Sequence, residues 1–267
     1  MGDEVEVLHG GVANAGAVVR VGDDVLRPAT SNSPTIHRFL RYLARIGLAI
    51  APEPIALDDD GRERLRFIPG DVPIPPYPAW AQSDDALTSI AKLIRELHDA
   101  SRGFARLPDD AWSREGADPE PGGSVICHND VCPENVVFRA GAAVALLDFE
   151  FAAPGSRSFD LACFARMCVP IDDDLSRARL GWEVTELPHR LRLIADAYGT
   201  TPSQRAEIVP SLDDAIANHG EFVRRRAEAG DPGFVAMWAA MGGMARLDRR
   251  RNWWARNRED FVAAMSR

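Results

Sequence analysis

The sequence predicts an α+β protein of two lobes, a small antiparallel β lobe with one helix followed by a larger, mainly helical lobe. Three observations carry this. Residues 5 to 68 alternate short β-type runs with glycine- and aspartate-bearing turns and contain a single amphipathic stretch. From Pro69 to Pro78, five of ten residues are proline. From Phe159 onward the apolar pattern is helical almost to the end.

Val5 to Leu8 and Ala17 to Val21 read as strands joined by His9-Gly10-Gly11-Val12-Ala13-Asn14-Ala15-Gly16, and Gly22-Asp23-Asp24 turns the chain into Val25 to Pro28. Ser33-Pro34 looks like an N-cap with proline at the first helical position. Ile36, Phe39, Leu40, Leu43 and Ile46 then recur at helical spacing until Gly47. Pro54 to Leu57 and Glu63 to Ile68, joined by Asp58-Asp59-Asp60-Gly61, form a second hairpin and complete a lobe over residues 1–68. The stiff proline-rich stretch 69–78 connects it to a second lobe over 79–267. There Leu87, Ile90, Ala91, Ile94 and Leu97 mark a helix after Ser83-Asp84, and a polar loop runs through Gly122-Gly123. Short β runs follow at Ser124 to Cys127, Val136 to Phe138 and Ala143 to Leu147.

A chain of 267 residues, 46% hydrophobic and 27% charged, buries a full core, which excludes disordered and low-complexity classes. No apolar run approaches the roughly 18 residues of a membrane span, and the acidic start MGDEVEVLHG is unlike a secretion signal, so a cytoplasmic location is expected. The net charge of −9 repels nucleic acid and anionic membranes and attracts a cationic small molecule. Lys92 is the single lysine, so arginine fills nearly every cationic role. Cys127, Cys132, Cys163 and Cys168 have a spacing that permits zinc, but their apolar surroundings suit buried thiols. The sequence specifies no oligomeric state.

Chemistry concentrates in Cys127-His128-Asn129-Asp130-Val131-Cys132-Pro133-Glu134-Asn135 and, after a hairpin, Leu146-Leu147-Asp148-Phe149-Glu150. Carboxylates at the ends of apolar strands need a metal, a cation or a proton. Asp130, Asn135, Asp148 and Glu150 offer only oxygen ligands, which select magnesium over zinc, and magnesium commonly shares its shell with substrate phosphates.

His128-x-Asp130-x-x-x-x-Asn135, with Asp148 thirteen residues later in Asp-Phe-Glu, resembles the catalytic loop and metal-binding aspartate of the kinase-like fold, in the form found in the aminoglycoside phosphotransferase and choline kinase superfamily. The resemblance implies a phosphotransferase using ATP or GTP with Mg2+. It implies that Asp130 accepts the proton of the attacking hydroxyl and that Asn135 and Asp148 hold metal, with Glu150 beside them. His128 and Asp160 then support the loop, although His128 also reads as a core histidine and Asp160 as a helix cap. The loop with Gly11, Asn14 and Gly16 is placed to cover phosphates, and Phe67 and Ile68 resemble the nucleotide hinge. Where the kinase fold carries a lysine on the third strand this chain has Arg27, and the helix that normally supplies its glutamate partner offers His37, Arg38 and Arg41 at positions that read as exposed.

The acceptor is expected to be a small hydroxyl compound. An aminoglycoside-like cationic antibiotic is one candidate; Glu183, Glu186, Asp213, Asp214, Glu221 and Asp260 suit a polyamine-like or quaternary-amine substrate, while Trp182, Trp238, Trp253 and Trp254 suit a sugar, a macrolide or a choline-like cation. Arg27 and the absent glutamate leave open a nucleotide-binding pseudokinase, and His128 with Asp130 and Asp148 leaves open a metal-dependent phosphohydrolase.

Overall fold

The computed structural model describes residues 5–8, 17–120 and 122–266. The glycine-bearing loop with Gly11, Asn14 and Gly16 lies outside the described residues. Strands β1 (Val5–Val7), β2 (Val19–Val21), β3 (Asp24–Pro28), β4 (Pro54–Leu57) and β5 (Arg62–Arg66) form one antiparallel sheet in the order β1-β2-β3-β5-β4. β3 and β5 lie at its centre, and their register sets Arg27 opposite Glu63.

Helix α1 (Ser33–Arg45) buries Ile36, Phe39, Leu40 and Leu43, as their spacing requires, and stops where Gly47 takes a φ of +79°. Its start differs from the expected cap. Asn32 precedes the helix without a side-chain cap, while Ser33 Oγ accepts from the Thr30 N–H at 2.9 Å and tightens the turn before it. The helix is fastened to the second lobe as well as to the sheet. Phe39 meets Phe104, Trp112 and Phe149 edge-on, and Asn32 Nδ2 donates to the Glu150 carbonyl at 2.6 Å. One apolar core therefore runs from Ile36 and Leu65 into the helical lobe.

The proline joint is pinned by an antiparallel bridge between Asp71 and Phe138. A Cβ on Gly70 would lie 2.5 Å from Val137 Cγ1, so this close approach requires glycine. Helix α2 (Asp84–Ser101) begins at Ser83, whose Oγ accepts from the Ala86 N–H at 3.1 Å, and buries the predicted stripe Leu87, Ile90, Ala91, Ile94 and Leu97. Beside it lie strand β6 (Val125–Cys127) and the hairpin β7 (Val136–Arg139) and β8 (Ala142–Leu146). β6 pairs with a strand the sequence did not announce, β9 (Ala153–Gly155), because Ala-Pro-Gly is too short and proline-bearing to show a β pattern. Helices α3 (Arg157–Cys168), α4 (Asp174–Arg179), α5 (Leu187–Tyr198), α6 (Pro202–Glu228), α7 (Pro232–Met241) and α8 (Gly243–Met265) complete the lobe. Among the described residues no helix is long and apolar enough to cross a membrane.

Candidate active site

The loop after β6 is shaped by one buried carboxylate. Asp160, fully buried in the first turn of α3, accepts from the backbone N–H groups of His128 at 2.9 Å and Asn129 at 2.7 Å and bonds His98 Nε2 at 2.8 Å. Capping of α3 falls to Ser156, whose Oγ accepts from the Phe159 N–H, so Asp160 is released to hold the loop. Burial opposes ionisation of Asp160, but His98, His128 and the backbone donors keep it below the usual carboxylate range. Asp160→Ala leaves these donors without an acceptor and is expected to destabilise the protein by about 3–5 kcal/mol, read as a lower urea midpoint. Because the folded carboxylate titrates below its unfolded value, its stabilisation is present at neutral pH and is lost as the pH falls below about 4.

His128 is fully buried against the Phe149 ring, with its Nε2 2.8 Å from the Leu147 carbonyl and its Nδ1 accepting from the Asp130 N–H. The carbonyl can only accept, so Nε2 carries the proton. Burial lowers the pKa of His128, and the neutral ring ties the Asp130 loop to the Asp148 turn. Asn129 and Asp148 both take left-handed φ values, +64° and +59°, which turn the chain sharply at the two ends of the site.

Asp130, Asn135, Asp148 and Glu150 are brought to one cleft of about 700 Å3. Asn135 Nδ2 donates to the Asp130 backbone carbonyl at 2.9 Å and to its carboxylate at 3.0 Å, which directs the amide oxygen to other ligands. Burial and the facing Asp148 push Asp130 up to about 8, with Arg166 opposing. Glu150 rises to about 7, again through burial and Asp148. Carboxylates gathered in this way, with Asp148 raising both Asp130 and Glu150 beside an amide oxygen, form a donor set suited to a hard divalent cation.

Arg27 lies at the other wall, only 9% exposed, with its Nε 2.5 Å from Glu63 and its Nη1 2.6 Å from Asp148. The acidic partner sought on the helix therefore comes from β5, and the helix contributes a histidine. His37, expected at the surface, is fully buried and donates through Nε2 to Glu63 at 2.8 Å. Burial would raise the Glu63 pKa, but His37 and Arg27 hold it below the usual range. Glu63 was missed because it sits in Arg62-Glu63-Arg64, which resembles an exposed charged strand; its opposition to Arg27 exists only in the sheet register.

Phe67 and Ile68 line the same cleft. Phe67 stacks under the Arg20 guanidinium and gives its backbone N–H to the Asp23 carbonyl, so its backbone donor is already occupied. The cysteines do not form a four-thiolate site among the described residues. His98, Cys127 and Asp160 do converge, but His98 has both ring nitrogens engaged, by Asp160 and by the Tyr198 hydroxyl. Burial keeps all four thiols protonated.

Residues 109–194 match the phosphotransferase enzyme family, and the whole chain is 33% identical to the full length of the trifolitoxin immunity protein of Rhizobium leguminosarum bv. trifolii. The chain belongs to the phosphotransferase enzyme family. A homoserine kinase of Methylobacterium sp. (strain 4-46) is 32% identical over 102 residues, spanning 38% of this chain and 28% of that protein. The fold is shared with a choline/ethanolamine kinase family protein of Mesorhizobium loti at TM-score 0.64 and 17% identity, over 98% of this chain and 92% of the other. This phosphotransferase is thus a kinase-like small-molecule enzyme whose acceptor is unidentified.

The acidic residues expected to bind a cationic acceptor lie outside the phosphotransferase cleft. None of Glu183, Glu186, Asp213, Asp214, Glu221 and Asp260 lines it. Asp213 pairs with Arg258 and the Trp254 indole, and Glu221 pairs with Arg224, because those helix faces pack outward. Of the four tryptophans only Trp182 reaches the cleft, while Trp253 and Trp254 belong to the core. Arginines that the sequence reading did not single out, Arg166, Arg246 and Arg250, line the cleft instead.

Proposed function

We propose that this phosphotransferase moves the γ-phosphoryl group of ATP or GTP, with Mg2+, to a hydroxyl of a small molecule. The observation that supports this best is the convergence of Asp130, Asn135, Asp148 and Arg27 on one cleft from two lobes. Residues 1–68 serve as the nucleotide lobe, 69–78 as the joint and 79–267 as the catalytic and acceptor lobe. Asp130 orients the acceptor hydroxyl and takes its proton as the oxygen attacks phosphorus and the bond to the β-phosphate oxygen breaks. Asn135 and Asp148, with Glu150 beside them, would hold magnesium, which when bound neutralises charge between the phosphates. Arg27 clamps the phosphates and is itself held by Glu63 and His37. His128 and Asp160 support the loop, and Phe67 and Ile68 flank the nucleoside.

Two observations favour transfer over the other readings. Both ring nitrogens of His128 are engaged within the protein, so it cannot serve a hydrolase as a base. The Arg27–Glu63–His37 linkage replaces the helix glutamate whose absence suggested a pseudokinase. Similarity to an immunity protein supports an antibiotic-like acceptor inactivated by phosphorylation. The test is calorimetric titration of MgATP and MgGTP combined with ADP or GDP release across a panel of hydroxyl compounds. Arg27→Ala is expected to weaken triphosphate binding about tenfold or more while leaving nucleoside binding unchanged. Arg27→Lys should retain part of it, because a point charge keeps attraction without the fork. Absence of Mg2+-dependent nucleotide binding by the wild-type protein would exclude the reading.

A further inference from the structure

The cleft is also lined by arginines, a histidine and the carboxylate of Asp172, to which the proposed transfer assigns no role. Arg166 comes from α3, His219 from α6, and Arg246 and Arg250 from one face of α8. The two long helices approach closely at Gly220, where a Cβ would lie 2.9 Å from Leu247 Cδ2 and 3.2 Å from Arg250 Nη2. Arg246 is neutralised by Asp172 and also bonds Ser176. Arg177 and Arg179, also in the lining, are bonded to Asp174 and to the Ala240 carbonyl.

Arg166 and Arg250 differ. They are 7% and 3% exposed, neither makes an ion pair or side-chain hydrogen bond among the described residues, and the Nε of each is buried without a partner. A buried guanidinium without an acceptor is unfavourable, and two facing one cleft with a histidine are more so. Burial lowers Arg250 to about 10, with Asp172 opposing and the neighbouring arginines reinforcing it, and burial with the same arginines holds His219 well below the ordinary histidine range. Phe222, Phe234 and Met237 supply an apolar wall beside them.

We propose that the acceptor carries an oxyanion, a carboxylate or a phosphate group, seated between Arg166 and Arg250 while its hydroxyl meets Asp130. This rests on the phosphotransferase reading of the cleft. The guanidinium forks provide the charge-assisted donors that such a group accepts, and among the described residues neither arginine has an ion pair or side-chain hydrogen bond that would substitute for it. A hydroxy acid or a phosphorylated hydroxyl compound with an apolar portion fits this wall. A quaternary amine or polyamine is repelled by it.

The test uses the full chain saturated with Mg2+ and the β,γ-imido analogue of ATP, so that the nucleotide phosphate positions are filled. Sodium phosphate and sodium acetate are titrated separately against sodium chloride at matched ionic strength, and Tm is followed. A saturable rise with one anion is expected, and the tighter of the two identifies the group on the acceptor. Arg166→Gln and Arg250→Gln should each raise the apparent Kd about tenfold or more, with partial recovery in Arg250→Lys. Each glutamine variant should also show an unchanged or higher Tm without added anion, because an unpaired buried charge is removed. If a glutamine variant fails to fold, the comparison of wild type with Arg250→Lys still reads the fork. No saturable rise with either anion, or equal Kd values in all forms, overturns the proposal. Binding of the imido nucleotide, measured in the same samples, tests the phosphotransferase reading separately; if that fails the acceptor assignment falls with it, while the anion titration of wild type against the arginine variants still reads whether Arg166 and Arg250 hold an anion.

Discussion

Asp130→Asn is expected to lower the phosphoryl-transfer rate by about 10^2 to 10^4-fold while leaving the MgATP dissociation constant within about threefold of wild type. The asparagine preserves shape and can still bond Asn135, but it cannot take the hydroxyl proton. Asp130 approaches the acceptor and not the nucleotide, so the loss falls on kcat. Stopped-flow or coupled measurement of ADP release, with calorimetry for nucleotide affinity, reads the two quantities independently. In wild type the rate should fall as the pH is lowered, when Asp130 becomes protonated, with a midpoint below about 8 because a cation bound nearby stabilises the carboxylate. A parallel loss of nucleotide affinity in Asp130→Asn would contradict the division of roles.

Asp148→Ala is expected to do what Asp130→Asn does not. It removes a carboxylate at the left-handed turn facing Arg27, and with it an anionic donor available to a divalent cation. Nucleotide affinity should fall at least about tenfold in the presence of Mg2+ and lose most of its Mg2+ dependence, with activity abolished at ordinary metal concentrations. Arg27 keeps Glu63 as a partner, so the fold should survive, which urea unfolding checks. Retention of Mg2+-dependent binding would move the metal site to Glu150 and Asn135. Asp130 should also be easier to ionise in this variant, since Asp148 is the carboxylate that raises it after burial.

The two-lobed fold was legible because each lobe is written in short-range signals. Helix periodicity set α1 and α2, glycine and aspartate placed the hairpins, and proline marked the joint. The group Asp130, Asn135 and Asp148 was legible for a related reason. It occupies one loop and the end of the following hairpin, so local chain geometry brings the three together. β9 was not legible, since its pairing with β6 is made by distant residues and its own sequence is unlike a strand.

What local sequence could not decide was which charged residues face one another across the tertiary structure. Glu63 meets Arg27 only because β5 inserts between β3 and β4, and His37 reaches it only because α1 turns that face inward. Of the acids on the outer helices that looked like an acceptor wall, none lines the cleft, and Asp213 and Glu221 instead pair with neighbouring arginines, whereas Arg166 and Arg250 are inside. Helical spacing states which residues share a face but not what that face packs against. Composition and motif order therefore determined the fold and the reaction class, and which charges line the cleft was decided by helix packing, because electrostatic pairing depends on distance and burial that only the folded chain defines.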